Sequence, residues 1–176
     1  MKTANLELLP WTPAHLRALV EGADVFEKMS GLKIAGGIHE MMTSGDVSAD
    51  FLAMLKCASA ADPWKFGFLV LHIADRLVIG SGGFKGPPGA DGLVEIAYGI
   101  APDWRGRGFA TEVARALTAH ALDDGRVRVV CAHTLPEANA STRVLAKSGF
   151  RFVGETNDPE DGVVWRWEHC ETTSVA

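Results

Sequence analysis

Residues 93–110 read LVEIAYGIAPDWRGRGFA, and this stretch decides the fold. Its first eight residues follow a strand pattern, a short loop holds Pro102, and Phe109 begins a helical periodicity. A strand therefore runs into a helix whose first turn carries Arg105-Gly106-Arg107-Gly108. Unpaired N–H groups at a helix start carry partial positive charge, and Gly106 and Gly108 would let a phosphate approach the backbone. Arg105 and Arg107 could add charge-assisted hydrogen bonds. By composition alone, an ordinary loop with solvent-facing arginines is the other reading. A Walker loop would need a Gly-Lys-Ser/Thr ending, and a dinucleotide fold would put its glycines after the first strand. Gly80-Ser81-Gly82-Gly83 is followed by strand rather than helix, and reads as a bulged strand.

Outward from this stretch, Phe109, Val113, Ala116, Leu117 and Ala121 predict a helix over 109–122, and VRVVCAHT predicts a strand over 127–134. Strand, helix, strand implies a parallel pair. Asn139 to Ser148 predicts a short helix with Asn139 as N-cap and Gly149 at the left-handed position past its end. Strands over 150–155 and 163–168 follow, around a turn at 157–162. Toward the N-terminus, strands are predicted over 64–74 and 77–84, joined to 93–100 by turn-rich segments as an antiparallel meander. A first strand lies at 5–11. Thr12-Pro13 then starts a helix that buries Leu16, Leu19 and Val20. Residues 23–62 give a broken helical pattern punctuated by Gly31, Gly36-Gly37 and Gly45, with Asp46 or Ser48 capping a helix through Leu55. The expectation is an α/β fold with a mixed, mostly antiparallel sheet, in one domain over 1–170 with a flexible tail at 171–176.

The chain has 176 residues, 17 Lys+Arg against 22 Asp+Glu, and 47% apolar residues. That length suits one domain with its own core. A net charge of −5 without a Lys/Arg block argues against a general nucleic-acid binder. Cys57, Cys131 and Cys170 form no CxxC and suit neither a disulfide framework nor a four-ligand zinc site, so no metal is expected and a reducing cytoplasm is. Met1 to Leu9 meets Pro10 before building a hydrophobic signal core, and the apolar stretch Phe66 to Ala74 contains His72, so no membrane association is expected.

Arg105-Gly106-Arg107-Gly108-Phe109-Ala110 resembles the Arg/Gln-x-x-Gly-x-Gly/Ala signature of the GNAT superfamily of acetyl-CoA-dependent N-acetyltransferases. VEIAYGI before it and NASTRVLAKSGF at 139–150 fall where that family's strand and following helix belong. Glu95 and the Asn-x-Ser helix start look most like the branch that acetylates N-termini of ribosomal proteins (RimJ/RimL type). The resemblance implies a sheet whose parallel pair splays around acetyl-CoA. It implies that the amides of Arg107, Gly108, Phe109 and Ala110 cradle the pyrophosphate, with Arg105 and Gly106 in the same loop. The pantetheine arm would pair with the strand edge at Ala97, Tyr98, Gly99 and Ile100, where a backbone N–H could polarise the thioester carbonyl. Asn139 and Ser141 match positions that contact the cofactor arm and the departing sulfur, though an N-cap and a first-turn polar residue need no such role. Arg143 and Lys147 share a helix face and could meet the 3′-phosphate, or be solvated.

Glu95 is the candidate general base, with a surface strand glutamate as its alternative. Many members carry a tyrosine five residues before the Phe of Gly-Phe as general acid. That position is Leu145 here, and Tyr98, the only tyrosine, belongs to the strand. Ser141 or solvent would then protonate the sulfur, or the thiolate leaves unaided. The implied activity is direct attack of a primary amine on the thioester, without an acyl-enzyme. An α-amine (pKa about 8) is neutral at pH 7 roughly a few hundred times more often than a lysine amine (about 10.4), which favours protein N-termini. A small-molecule or antibiotic amine acetyltransferase and a non-catalytic acyl-CoA-binding module are the alternatives, and a homodimer is compatible with each. His72 and His133 read as core or edge histidines, Cys131 as buried and inert, and the tryptophans as packing, with Trp64 or Trp165 a possible wall of an acceptor pocket.

Overall fold

The structure, a computed structural model, describes residues 1–43, 49–159 and 161–170. Among these, one sheet runs in the order β1 (Leu6–Pro10), β3 (Phe68–His72), β4 (Leu77–Phe84), β5 (Leu93–Ile100), β6 (Val129–Thr134), β8 (Gly162–Cys170), β7 (Arg151–Asp158). The two-residue β2 (Lys33–Ile34) pairs parallel to β4 off that path. The helices are α1 (Pro13–Glu21), α2 (Ala23–Ser30), α3 (Ile38–Thr43), α4 (Ala49–Cys57), α5 (Pro63–Phe66), α6 (Phe109–Leu122) and α7 (Ala140–Lys147). The expected mixed, mostly antiparallel sheet with one central parallel pair is present.

That pair holds the site. β5 and β6 are in register only at Leu93↔Val129, Val94↔Val130 and Glu95↔Cys131, although β5 continues to Ile100 and β6 to Thr134. Each strand is held on its outer side past that point. Ile96 through Ile100 pair with Phe84 through Gly80 of β4, while His133 and Thr134 pair with Arg166 and Trp165 of β8. The facing edges are left without strand partners, and the sheet opens.

Strand alternation assigns the two faces. Val94, Ile96 and Val130 are buried in one core with Val113 and Leu117 of α6 and Leu145 of α7. A Cβ on Gly82 would lie 3.0 Å from Val113 Cγ1 and 3.1 Å from Leu117 Cδ1, so glycine lets α6 seat directly on β4. On the opposite face, Leu69, Leu71 and Val78 pack with Trp11, Leu16, Leu19, Phe26 and Leu55. Ser81 and Gly83 of β4 stand beside Gly99 and Ala97 of β5, so these four and Glu95 share that opposite face.

Three expectations are corrected. The stretch 64–74 is not strand throughout: Asp62 accepts from the Trp64 N–H at 3.1 Å, Pro63 sets the first turn, and Gly67 at φ 67° ends this one-turn helix before β3 begins. Val20 is 39% exposed, and Ala18 takes its place on the buried side of α1. The bulge lies ahead of Gly80, where the register steps from Val70↔Gly80 to Leu71↔Val78 and leaves Ile79 as the extra residue. Gly45, Asp46, Ser48 and the tail 171–176 lie outside the described residues. No helix among the described residues is long and apolar enough to cross a membrane.

Candidate active site

On the α6 face a cleft of about 570 Å³ runs from the open edge of β5, past the start of α6, to α7. Gly108 is the N-cap of α6 at φ 88°, and Gly106 stands at φ 76°. Side chains rarely adopt this left-handed backbone. A Cβ at either position would meet nothing within 4 Å, so glycine is needed for conformation and also leaves the cleft open. The N–H groups of Phe109, Ala110 and Thr111 begin α6 and have no intrahelical acceptor. Arg105 fixes the loop by donating from Nε to the Ile100 carbonyl at 2.9 Å. Arg143 and Lys147 line the far wall and make the cleft cationic. The result is an anion site with a long polar approach, which suits the pyrophosphate and arm of acetyl-CoA.

Of the residues singled out from the sequence, Tyr98, Gly99, Ile100, Arg105, Gly106, Gly108, Phe109, Ala110, Ser141 and Arg143 line this cleft. Ala97, Arg107 and Asn139 do not. Ala97 faces the other side of the sheet. Arg107 folds back, donating to the Asp103 carbonyl at 3.1 Å with its guanidinium 4.9 Å over the Trp104 ring. Asn139 caps α7: its side chain accepts from the Thr142 N–H, and Thr142 Oγ1 accepts from the Asn139 N–H, both at 3.1 Å. Leu145 is a core residue. Tyr98 faces the cleft beside Gly99, and burial raises its phenol pKa well above the usual 10, so it stays protonated at neutral pH.

The β5 edge can be read group by group. The Lys85 N–H donates to the Glu95 carbonyl and the Ala101 N–H to the Ile79 carbonyl, so odd-numbered residues of β5 turn their backbone groups toward β4. Ile96, Tyr98 and Ile100 therefore turn theirs away from β4; the Ile96 N–H closes the last rung of the β5–β6 pair against Cys131, the Ile100 carbonyl is taken by Arg105, and the groups of Tyr98 face the opening.

Glu95 stands on the opposite face, at the last paired position before the opening. Its Oε1 lies 2.9 Å from Lys85 Nζ and 3.1 Å from His133 Nδ1. The histidine contact is in ion-pair range but off the line of a hydrogen bond, for both ring nitrogens are buried with no hydrogen-bond partner. Partial burial of Lys85 works to lower its pKa, but the bond to Glu95 and the charges of Asp158 and Asp161 outweigh it and raise the value. Arg166, which also lines this pocket of about 280 Å³, pairs with Glu168 at 2.7 Å. Cys131 is buried there, and burial first, then the Glu95 charge, pushes its thiol up to about 11. It is therefore no thiolate at neutral pH.

Two residues along β5, a groove of about 340 Å³ lies over Gly83, Ala97 and Gly99 beneath Met41 and Met42 of α3 and Phe66. Tyr98 and Gly99 line both this groove and the α6 cleft, so the two spaces lie on opposite faces of the same stretch of β5. Neither tryptophan proposed as an acceptor wall reaches it. The Trp64 ring packs on Phe84 with centroids 4.4 Å apart, and Trp165 donates from Nε1 to Glu155 at the sheet edge. His72 is a packing histidine, 2.9 Å from Asp75 and against Trp104 and Phe109. Lys85, Met41 and Met42 are the site residues that sequence reasoning passed over, and His133 was read there as a core or edge histidine. Lys85 was within reach: a hairpin between 77–84 and 93–100 sets residue 85 beside 95. Among the described residues no group of three or more His, Cys, Asp and Glu could hold a metal ion.

The chain matches the family model for the acetyltransferase (GNAT) domain over residues 5–151. No curated protein matches it at a significant level. Among solved structures it resembles the ribosomal-protein-S5-alanine acetyltransferase of Vibrio fischeri, at 12% identity, TM-score 0.63 and coverage of 98% of this chain and 97% of that one. It also resembles RimL, a ribosomal L7/L12 α-N-protein acetyltransferase in complex with coenzyme A, at 16% identity, TM-score 0.62 and 96% and 95% coverage. The aminoglycoside acetyltransferase AAC(6')-Ib, in complex with coenzyme A and kanamycin, is similar at 17% identity, TM-score 0.62 and 94% and 95% coverage. At such identities the likeness concerns the fold.

Proposed function

The chain belongs to the GNAT acetyltransferase domain family, whose activity is acetyl-CoA-dependent N-acetylation, and from that premise we propose that it acetylates primary α-amines, protein N-termini first among them. One observation carries the reading: β5 and β6 part immediately after Glu95, between the anion-binding cleft on the α6 face and the groove on the other. Acetyl-CoA supplies an activated acyl group with a thiolate as leaving group. The first-turn amides of α6 hold its pyrophosphate, with Arg143 and Lys147 toward its remaining phosphate. The Ile96 carbonyl and the backbone groups of Tyr98 pair with the arm, and the N–H of Tyr98 or Ile100 polarises the thioester carbonyl. Ser141, and the protonated Tyr98 phenol beside it, line the side on which the sulfur departs.

The acceptor enters from the groove. Its amine reaches the opening beside Glu95, which takes the proton, while Ala97, Gly83 and Met41 seat the group next to the amine. The polar side chains lining this groove are Lys65, which pairs with Asp62 at 3.2 Å, and the hydroxyl-bearing Ser81 and Tyr98, so it offers no carboxylate to a second ammonium. An α-amine also needs less from the base than a lysine amine, by about 3 kcal/mol. A second reading, a polycationic small-molecule amine, draws on Asp158 and Asp161 at the β7–β8 turn near Lys85. Mass spectrometry on peptides with free and blocked α-amines, beside a panel of polyamines, decides. Acetylation confined to free N-termini is expected; product only from the polyamines overturns the N-terminal reading.

A further inference from the structure

We propose that His133 is the proton-carrying partner of Glu95, completing a carboxylate–imidazole pair at the point where β5 and β6 part. The inference rests on the reading of Glu95 as base. Glu95 does not stand alone at that point, because the Lys85 ammonium already holds its Oε1 at 2.9 Å. The same oxygen has His133 Nδ1 at 3.1 Å on the β6 side. Imidazole exchanges protons near neutral pH without help.

The placement follows from the register. His133 lies two residues beyond Cys131, the last partner of β5, so alternation keeps its ring on the Glu95 face while its strand has left β5 and pairs only with Arg166 of β8. Both ring nitrogens of His133 are buried without a hydrogen-bond partner, whereas in His15, His72 and His169 only Nδ1 is so placed. A buried, unsatisfied imidazole is costly unless it is used. The groups around it are Lys85 from β4, Asp91 from the β4–β5 turn, Glu95 from β5, Cys131 from β6, Arg166 and Glu168 from β8, and Asp158 from β7, which reaches Lys85 at 3.9 Å. Of the carboxylates among these, Glu95 is the one that pairs with His133, and Cys131 keeps its proton.

The step balances simply. As the acceptor nitrogen bonds to the acetyl carbon, the carbon–sulfur bond breaks and CoA leaves as the thiolate; the amine's proton passes to Glu95 and, once the ring turns Nδ1 onto Oε1, from there to His133, which changes from imidazole to imidazolium. Glu95 is again a carboxylate, and the imidazolium returns the proton to water through the Lys85–Arg166 pocket. His133 acts through Glu95 and is a positioning and relay residue.

The test combines a pH profile with a titration. For acetylation of an α-amine peptide from pH 5.5 to 9, His133→Gln should lower kcat about tenfold or more and remove the limb that titrates near neutrality, while the acetyl-CoA KM stays unchanged. His133→Asn is the second variant if the first does not fold. Without any acceptor, NMR of labelled imidazoles in the wild-type chain follows the protonation of His133 against pH. Its midpoint should move down in Glu95→Gln and up in Lys85→Met. A wild-type pH profile in the folded His133 variants, or a midpoint that neither substitution moves, overturns the inference. Glu95→Gln at full rate removes the base and the pair with it; Glu95→Gln inactive beside His133→Gln with wild-type kinetics removes His133 alone.

Discussion

Tryptophan at Gly108 should separate the cost of a strained backbone from the loss of a ligand site. Gly108 has φ 88° and Gly31, the C-cap of α2, has φ 70°; a Cβ at either meets nothing within 4 Å. Placing a side chain at such a φ costs about 1–2 kcal/mol, and a domain of this length loses roughly 2–4 °C of Tm per kcal/mol. Gly108→Trp and Gly31→Trp should therefore each melt about 2–8 °C below wild type. Only the first fills the α6 cleft. At acetyl-CoA one hundred times its Kd, wild type gains about 2.7 kcal/mol, or roughly 5–11 °C, and Gly31→Trp should keep the whole gain. Gly108→Trp should show none. Differential scanning fluorimetry with and without acetyl-CoA reads both quantities. A full ligand shift in Gly108→Trp would refute the assignment of this cleft to the cofactor.

Two further substitutions test the frame that holds the site. Glu112 on α6 accepts from Thr3 Oγ1, from the Asn5 N–H at 2.8 Å and from Asn5 Nδ2 at 3.1 Å, tying the N-terminal segment to α6. Partial burial works to raise its pKa, but these bonds and one from the Leu6 amide lower it below 4.5. Its contribution is therefore present above that value and lost as pH falls through the lowered one. Glu112→Gln should be less stable than wild type at pH 7, with the gap closing in denaturant melts below about pH 4; a gap independent of pH would count against the tie. Leu145→Ala should cost about 2–5 kcal/mol, because this side chain is 1% exposed in the core beneath α7. A chemical melt showing less than about 1 kcal/mol would mean that α7 is not anchored there.

What the sequence made legible was local. The span 109–122 matches α6 end to end, because Val113, Leu117 and Ala121 fall on one side of the helix and Gly108 caps it. The strand–helix–strand order gave the parallel pair for the same reason. The error at 64–66 arose because Trp64 and Phe66 continue the apolar pattern of β3, while the local signals Asp62, Pro63 and Gly67 dictate a helical turn. In the site, the cleft residues from Tyr98 to Ala110 belong to one continuous stretch and were readable, while Ser141 and Arg143 came from the resemblance of the later helix. Glu95 was readable as an acid in an apolar strand. Its neighbours were not, since Lys85 and His133 come to it through strand registers that a linear pattern does not display. Met41 and Met42 were lost in the broken pattern of 23–62, where short helices punctuated by glycine leave no sustained period.

The account's central claim is that cofactor and acceptor approach from opposite faces of the opened sheet. Ala97 decides it: it is exposed, it points into the Met41 groove, and its backbone groups turn toward β4. The most direct measurement is the acetyl-CoA binding isotherm of Ala97→Trp, taken beside its acetylation of a free α-amine peptide. The account predicts a Kd within about threefold of wild type together with lost transfer. A Kd weakened about tenfold or more in the folded variant would contradict it, by placing the cofactor on the acceptor's side of the sheet.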